Sequence, residues 1–212
     1  MSVSGTQTLS SSQPQRNSRR MFERVDMWPS MIALTDEDRG VTALHQIVTV
    51  PAGGMLLIRR RDQAFALDEA AGITTKAAQK GVLVSVSLST PPESLPADAV
   101  HIPERALKNW RRVDLARLNP SFVSASAHGW SGIRKAAILG VDAILLSPVF
   151  ATKSHAIGKN LGLFGFAALV RAAPMPVYAL GGMTVARGKR TASIGAIGIA
   201  GIGLFAEPVK AD

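Results

Sequence analysis

Short, almost wholly apolar runs recur from residue 31 to residue 202, and most are followed by a polar or glycine-rich loop. Runs of this length are typical of buried parallel strands, and the longer amphipathic stretches between them are typical of helices. The pattern predicts eight strands, at 31–35, 54–59, 82–87, 98–102, 121–127, 142–148, 176–180 and 196–202. It predicts helices at 63–79, 103–117, 129–139, 162–173 and 184–194.

This alternation indicates a single (β/α)8 TIM barrel over residues 21–212. A doubly wound sheet is the alternative fold, although it would not need the eighth strand. The connection from strand 1 to strand 2 is less regular, with a short helix expected at Asp36-Glu37-Asp38, and the third crossover is too short for a full helix. Residues 1–20 are polar and are expected to form a disordered tail.

Composition narrows the class of protein. The chain has no cysteine, which excludes disulfides and thiolate catalysis. No apolar run approaches the roughly 20 residues of a membrane-spanning helix, so a soluble, cytoplasmic protein is expected. The net charge is +9, but aromatic residues make up only 5% of the chain, so nucleic-acid binding is not indicated. Anionic small molecules would account for part of the positive charge, and a homo-oligomer stays possible.

The loops after strands 6, 7 and 8 are suited to binding a phosphate. Strand 6 runs into the polar loop 151–155, strand 7 ends in Gly181-Gly182, and strand 8 runs into Gly201-Ile202-Gly203. Glycines let backbone N–H groups approach an anion closely, and barrels of this type often bind phosphate after strands 7 and 8. We therefore expect a phosphate site at this edge of the barrel.

Three histidines fall at strand ends, where barrel enzymes carry their catalytic groups. His101 closes strand 4, His128 follows strand 5 and His155 lies in the loop after strand 6. Imidazole transfers protons near neutral pH, which makes them candidate acid–base groups. A three-histidine zinc site is chemically possible, but the one-per-unit spacing needs no metal to explain it, and no metal is predicted.

Three consecutive arginines, Arg59, Arg60 and Arg61, close strand 2. Strand alternation sends Arg59 and Arg61 to the same side and Arg60 to the other. We expect the outer two to face an anion at the barrel mouth.

Six segments together resemble the thiamine phosphate synthase/TenI family, over roughly residues 31–206. The strand-6 and strand-7 segments are specific when they occur together, whereas either one alone would be a weak signal. The segments are Leu34-Thr35-Asp36, Leu57-Ile58-Arg59-Arg60-Arg61, Ala97-Asp98-Ala99-Val100-His101, Ser126-Ala127-His128, the run 147–155, and Ala179-Leu180-Gly181-Gly182-Met183.

The resemblance implies a (β/α)8 barrel with one of two activities. The synthase joins a pyrimidine diphosphate to a thiazole phosphate with the help of magnesium, whereas TenI-type members isomerise a thiazole carboxylate phosphate to its aromatic tautomer. His128 falls where TenI-type members carry a histidine, and would be catalytic. The implied substrate-binding residues are Thr152, Ser154, Gly181, Gly182, Ile202 and Gly203 for the phosphate, Arg59, Arg61 and Ser126 for the diphosphate side, and His155 in place of a synthase lysine.

The chain departs from the synthase pattern where magnesium would bind. Val86-Ser87 stands in place of Asn-Asp after strand 3, and Pro103-Glu104-Arg105-Ala106 replaces a Gly-Gln segment followed by Asp. Leu57 replaces a glutamine and Arg61 a lysine. Losing both aspartates favours metal-independent tautomerisation, with no cofactor. A divergent magnesium-dependent synthase that recruits Glu104 or Asp36, and a catalytically silent barrel that binds thiazole or thiamine phosphate, remain as alternatives.

Overall fold

The computed structural model describes residues 28–152 and 160–204, and within these ranges eight parallel strands form a closed barrel. The strands follow one another in chain order, and β8 pairs with β1. This confirms the predicted TIM barrel, with every strand within two residues of its predicted bounds. The strands are β1 Met31–Leu34, β2 Met55–Ile58, β3 Leu83–Ser87, β4 Ala99–Ile102, β5 Phe122–Ala127, β6 Ala143–Leu146, β7 Val177–Leu180 and β8 Gly198–Gly201. The predicted tail 1–20 lies outside the described residues.

The helices surround this barrel, and two of the helix predictions need correction. Four are close to the predicted ranges, but the single helix predicted over 103–117 is two elements. After strand 1, the short helix expected at Asp36-Glu37-Asp38 is the 3-10 helix Glu37–Arg39, and the α-helix Ala43–Thr49 that follows it was not predicted. The α-helices are α1 Ala43–Thr49, α2 Gln63–Gln79, α3 Arg112–Leu118, α4 Trp130–Leu139, α5 Gly162–Ala172 and α6 Val185–Ala192, and 3-10 helices span Glu37–Arg39 and Glu104–Asn109.

The break in the fourth crossover has a local cause. Trp110 and Arg111 both have extended backbone angles between the two helical segments. The Asp114 carboxylate accepts a hydrogen bond of 2.9 Å from the Arg111 backbone N–H and so starts α3 as a new helix. Trp110 itself is buried among the apolar residues between helices and strands, and its burial holds the chain extended here.

Alternating strand residues form two cores. One set packs between the strands and the helices, and the other fills the barrel interior. The interior is apolar towards the amino ends of the strands, where Trp28, Phe122 and Tyr178 make edge-to-face contacts at centroid distances of 5.1 and 6.5 Å. Towards the carboxyl ends it becomes polar, with His101 and Ser124 buried in the same interior.

No helix among the described residues is long and apolar enough to cross a membrane.

Candidate active site

A cavity of about 670 Å³ opens at the carboxyl ends of β1 to β5. It is lined by charged and hydroxyl side chains from these strands and the loops that follow them, including Arg59, Ser126 and His128. The carboxyl end of the barrel is where enzymes of this fold carry their active sites. The cavity therefore brings together the candidate residues that the sequence analysis placed after strands 2 and 5.

His128 forms a pair with Glu104 in the wall of this cavity. Glu104 Oε2 accepts a hydrogen bond of 2.7 Å from the His128 backbone N–H, and it lies at a hydrogen-bonding distance of 2.7 Å from the ring atom Nδ1. The His128 side chain is half exposed, whereas that of Glu104 is mostly buried. His128 follows β5 and Glu104 begins the 3-10 helix after β4, so adjacent strands of the barrel bring them together.

His101 is a different kind of histidine. It lines the cavity but is buried, and its Nδ1 and Nε2 lie 2.9 Å from Ser124 Oγ and 2.8 Å from Ser126 Oγ. Burial, together with the positive charge of Arg59, lowers the pKa of His101 to about 3. His101 is therefore neutral at physiological pH. Its contacts with Ser124 and Ser126 connect β4 to β5. Of the three histidines predicted at the mouth, this one is buried, and His155 lies outside the described residues.

The three arginines after β2 have different partners, although all three line the cavity. Arg60 points to α2, where its Nε and Nη2 donate to the Glu69 carboxylate at 2.7 and 2.8 Å, and this bonding raises the pKa of Arg60. Arg59 lies over the cavity with Nε donating to the Thr35 carbonyl at 3.1 Å, and burial lowers its pKa. Arg61 is exposed and forms an ion pair with Asp38.

The carboxylates at the mouth already have partners within the chain, and Glu37 among them accepts a hydrogen bond of 3.2 Å from the Arg61 backbone N–H. Asp36 lies 3.6 Å from Arg59 and 3.7 Å from Arg39, and Asp38 is paired with Arg61. Glu104 is held by His128. Magnesium needs carboxylate oxygens that are free to bind it or its water shell. No group of three His, Asp or Glu side chains suited to a metal ion is found within residues 28–152 and 160–204.

The glycines after β7 pack directly against the chain that follows β6. Gly181 and Gly182 have φ angles of +97° and +62°, in the left-handed region that favours glycine. A Cβ atom at Gly182 would lie 2.6 Å from the Ala151 carbonyl oxygen. The two loops are thus held in contact by residues without side chains, beside the half-buried Thr152.

The other predicted phosphate residues are less completely described. The Ile202 carbonyl accepts a hydrogen bond of 2.6 Å from Gln46 Nε2, which attaches the loop after β8 to α1. At Gly203 a Cβ would meet no atom within 4 Å. Ser154 and His155 lie outside the described residues.

Arg187 is a candidate that the sequence analysis missed. Its Nη1 donates to the Gly182 carbonyl, and its guanidinium carbon lies 4.7 Å from the centroid of the Phe150 ring. Thr184 caps α6 by accepting from the Arg187 backbone N–H, which places Arg187 in the first turn of the helix after the glycines. The threonine cap predicts the start of the helix, but no sequence signal marks the side chain of Arg187.

The fold and the cavity define a (β/α)8 barrel with a carboxylate–histidine pair and arginines at its mouth. A family model described as thiamine monophosphate synthase (TMP-TENI) matches residues 34–205. The chain belongs to this family, the thiamine monophosphate synthase/TenI family.

Named relatives agree with this membership, and a solved structure has a similar fold. The chain is 30% identical over 187 residues to "Putative thiamine-phosphate synthase 2" of Aquifex aeolicus, covering 84% of this chain and 98% of that protein. It is 32% identical over 114 residues to "Putative thiamine-phosphate synthase" of Geobacter sulfurreducens, covering 53% of each chain. The fold is similar to that of a thiamine phosphate pyrophosphorylase from Pyrococcus furiosus, with a TM-score of 0.65, 17% identity, and 84% and 86% of the two chains covered.

Proposed function

We propose that this protein is a metal-independent isomerase that converts a thiazole carboxylate phosphate to its aromatic tautomer, with His128 as the acid–base group. The observation that carries the proposal is the His128–Glu104 pair in the wall of the cavity. The His128 side chain is half exposed, and its Nδ1 lies 2.7 Å from Glu104 Oε2. Tautomerisation moves one proton between two positions of the same molecule, which an imidazole can do without a metal.

The charges at the mouth suit a substrate with anionic groups. Arg59 lies over the cavity, and Arg105 and Lys135 also line it on the side of His128. We propose that the substrate phosphate is bound at the opposite edge by Thr152, Gly181 and Gly182, with Ser154, His155, Ile202 and Gly203 completing the site. Backbone N–H groups beside glycines and the amino end of a helix are suited to this anion.

A magnesium-dependent thiamine phosphate synthase is the second candidate, because the relatives from Aquifex aeolicus and Geobacter sulfurreducens are named "Putative thiamine-phosphate synthase 2" and "Putative thiamine-phosphate synthase". Against it stands the pairing of Asp36 with Arg59 and Arg39, since a metal would have to displace these arginines from a mostly buried carboxylate. The exposed pair of Asp38 with Arg61 is a weaker obstacle. A binding protein without turnover is the third candidate.

One set of assays separates the three candidates. The purified chain is given a thiazole carboxylate phosphate, and separately a thiazole phosphate with a hydroxymethylpyrimidine diphosphate, each with magnesium and with EDTA. We expect tautomerisation at the same rate under both conditions. Formation of thiamine phosphate that EDTA abolishes would establish the synthase, and binding without either product would establish the silent barrel.

Arg187 should strengthen phosphate binding. Replacing it by Met keeps much of its contact with Phe150 but removes a guanidinium that lies beside Gly182. A hydrogen bond to a charged group contributes about 1.5–3 kcal/mol, so we expect the affinity for a thiazole phosphate, measured by calorimetry, to fall about 10- to 100-fold. Arg190→Met, one turn further along the same helix, is the matched control. Equal affinities of the two variants would place the phosphate elsewhere.

A further inference from the structure

Gly132 gives the Glu104 carboxylate its place beside His128. Gly132 lies in the first turn of α4 and is buried against the Glu104 side chain. A Cβ atom there would lie 2.6 Å from Glu104 Cδ and 2.7 and 2.9 Å from its two carboxylate oxygens. Real Cβ atoms do not approach other atoms so closely, so any other residue at this position would displace the carboxylate.

The carboxylate has two contacts besides the one with the imidazole. It accepts the backbone N–H of His128, and it lies against the first turn of a helix of ten residues. Both the N–H group and the amino end of the helix stabilise an anion. An ionised carboxylate only accepts hydrogen bonds, so the hydrogen in its contact with the imidazole belongs to Nδ1.

We propose that Glu104 and Gly132 are positioning residues for His128. Glu104 fixes the ring orientation and the tautomer with hydrogen on Nδ1, which leaves Nε2 unprotonated and available to a molecule in the cavity. Because Gly132 has no side chain, it leaves free the space that this carboxylate occupies. This assigns Glu104 to the histidine rather than to a metal ion.

The catalytic consequence rests on the proposed function. Nε2 takes a proton from one position of the thiazole ring, the double bonds rearrange, and Nε2 returns the proton to a second position. In the substrate, one bond to hydrogen breaks and another forms. The substrate is neither oxidised nor reduced, and it loses no leaving group. During the step Glu104 stays hydrogen-bonded to Nδ1 and stabilises the charged ring between the two transfers.

The positioning itself can be tested without a substrate. Nitrogen NMR of histidine-labelled protein, at a pH where the imidazole is neutral, reports which ring nitrogen carries the hydrogen. The spectrum of His128→Asn assigns the His128 signals by their loss. We expect hydrogen on Nδ1 of His128 in the wild-type protein and a mixture of both tautomers in Gly132→Ala and Glu104→Gln.

Gly72→Ala is the matched control, because it makes the same replacement inside α2 where a Cβ would meet nothing within 4 Å. Alanine is the better helix former at both positions, so both variants should fold. The His128 signals of Gly72→Ala should equal those of the wild type. Hydrogen on Nε2 in the wild type, or unchanged His128 signals in Gly132→Ala, would overturn the positioning roles.

Kinetics then tests the catalytic part. A misplaced catalytic group commonly costs about 100-fold, so we expect kcat to fall by that order in Gly132→Ala and in Glu104→Gln, with KM nearly unchanged. The double variant should be no slower than the worse single variant, because both changes remove the same contact. Additive losses would contradict the shared mechanism. If the wild type shows no tautomerase activity, the proposed function fails, while the NMR result still decides whether Glu104 positions His128.

Discussion

Replacing His128 by Asn should lower the rate of thiazole tautomerisation about 100- to 10,000-fold, the usual contribution of a general acid–base group. Asparagine keeps a polar side chain that can still bond to Glu104, but it has no nitrogen that takes up and releases a proton. The phosphate site that we propose would lie after β6, β7 and β8, away from the β5 loop that carries His128. We therefore expect the affinity for a thiazole phosphate to change little.

The measurement is steady-state kinetics with a thiazole carboxylate phosphate, joined to calorimetry with the thiazole phosphate. His45→Asn is the matched control, because His45 is an exposed histidine on α1. A loss confined to kcat would show a group that acts in the transition state. If His128→Asn keeps wild-type kcat, proton transfer runs through another residue and the proposed role of His128 is wrong.

The barrel itself could be predicted from the sequence because parallel strands are covered on both faces. Their runs are mostly apolar and are followed by polar or glycine-rich segments, so their bounds are visible without any partner. The fourth crossover could not be predicted in this way. Its helical pattern continues through Trp110, and only the packing of that side chain shows why the backbone is extended there.

The position of the candidate catalytic residue could be predicted from the sequence, but the residue that pairs with it could not. His128 is found from its place after β5. Glu104 is 24 residues earlier in the chain, and the sequence indicated only an acid that might replace a lost magnesium ligand. Gly132 carried no signal at all, since a helical glycine is uninformative until its neighbour is known. Pairings across neighbouring βα units depend on the barrel register, which a single sequence does not show.

The pH dependence of stability should report the burial of His101. Its folded-state pKa of about 3 lies below the usual 6.5, so between these values the unfolded chain binds a proton that the folded protein does not. The stability associated with neutral His101 is therefore fully present above pH 6.5 and is lost as the pH falls towards 3. The shift corresponds to about 5 kcal/mol over the whole window, with a slope of up to about 1.4 kcal/mol per pH unit.

Urea unfolding of the wild type and of His101→Gln, at several pH values between 7 and 4, isolates this contribution. Glutamine cannot take up the proton, so the difference in unfolding free energy between the two proteins should shrink as the pH falls. Carboxylates that also titrate in this range are present in both and cancel in the difference. His45→Gln, at an exposed position, is the matched control. A difference that stays constant across the window would mean that the folded protein accepts a proton at His101, and that the two serine contacts at 2.8 and 2.9 Å do not require a neutral ring.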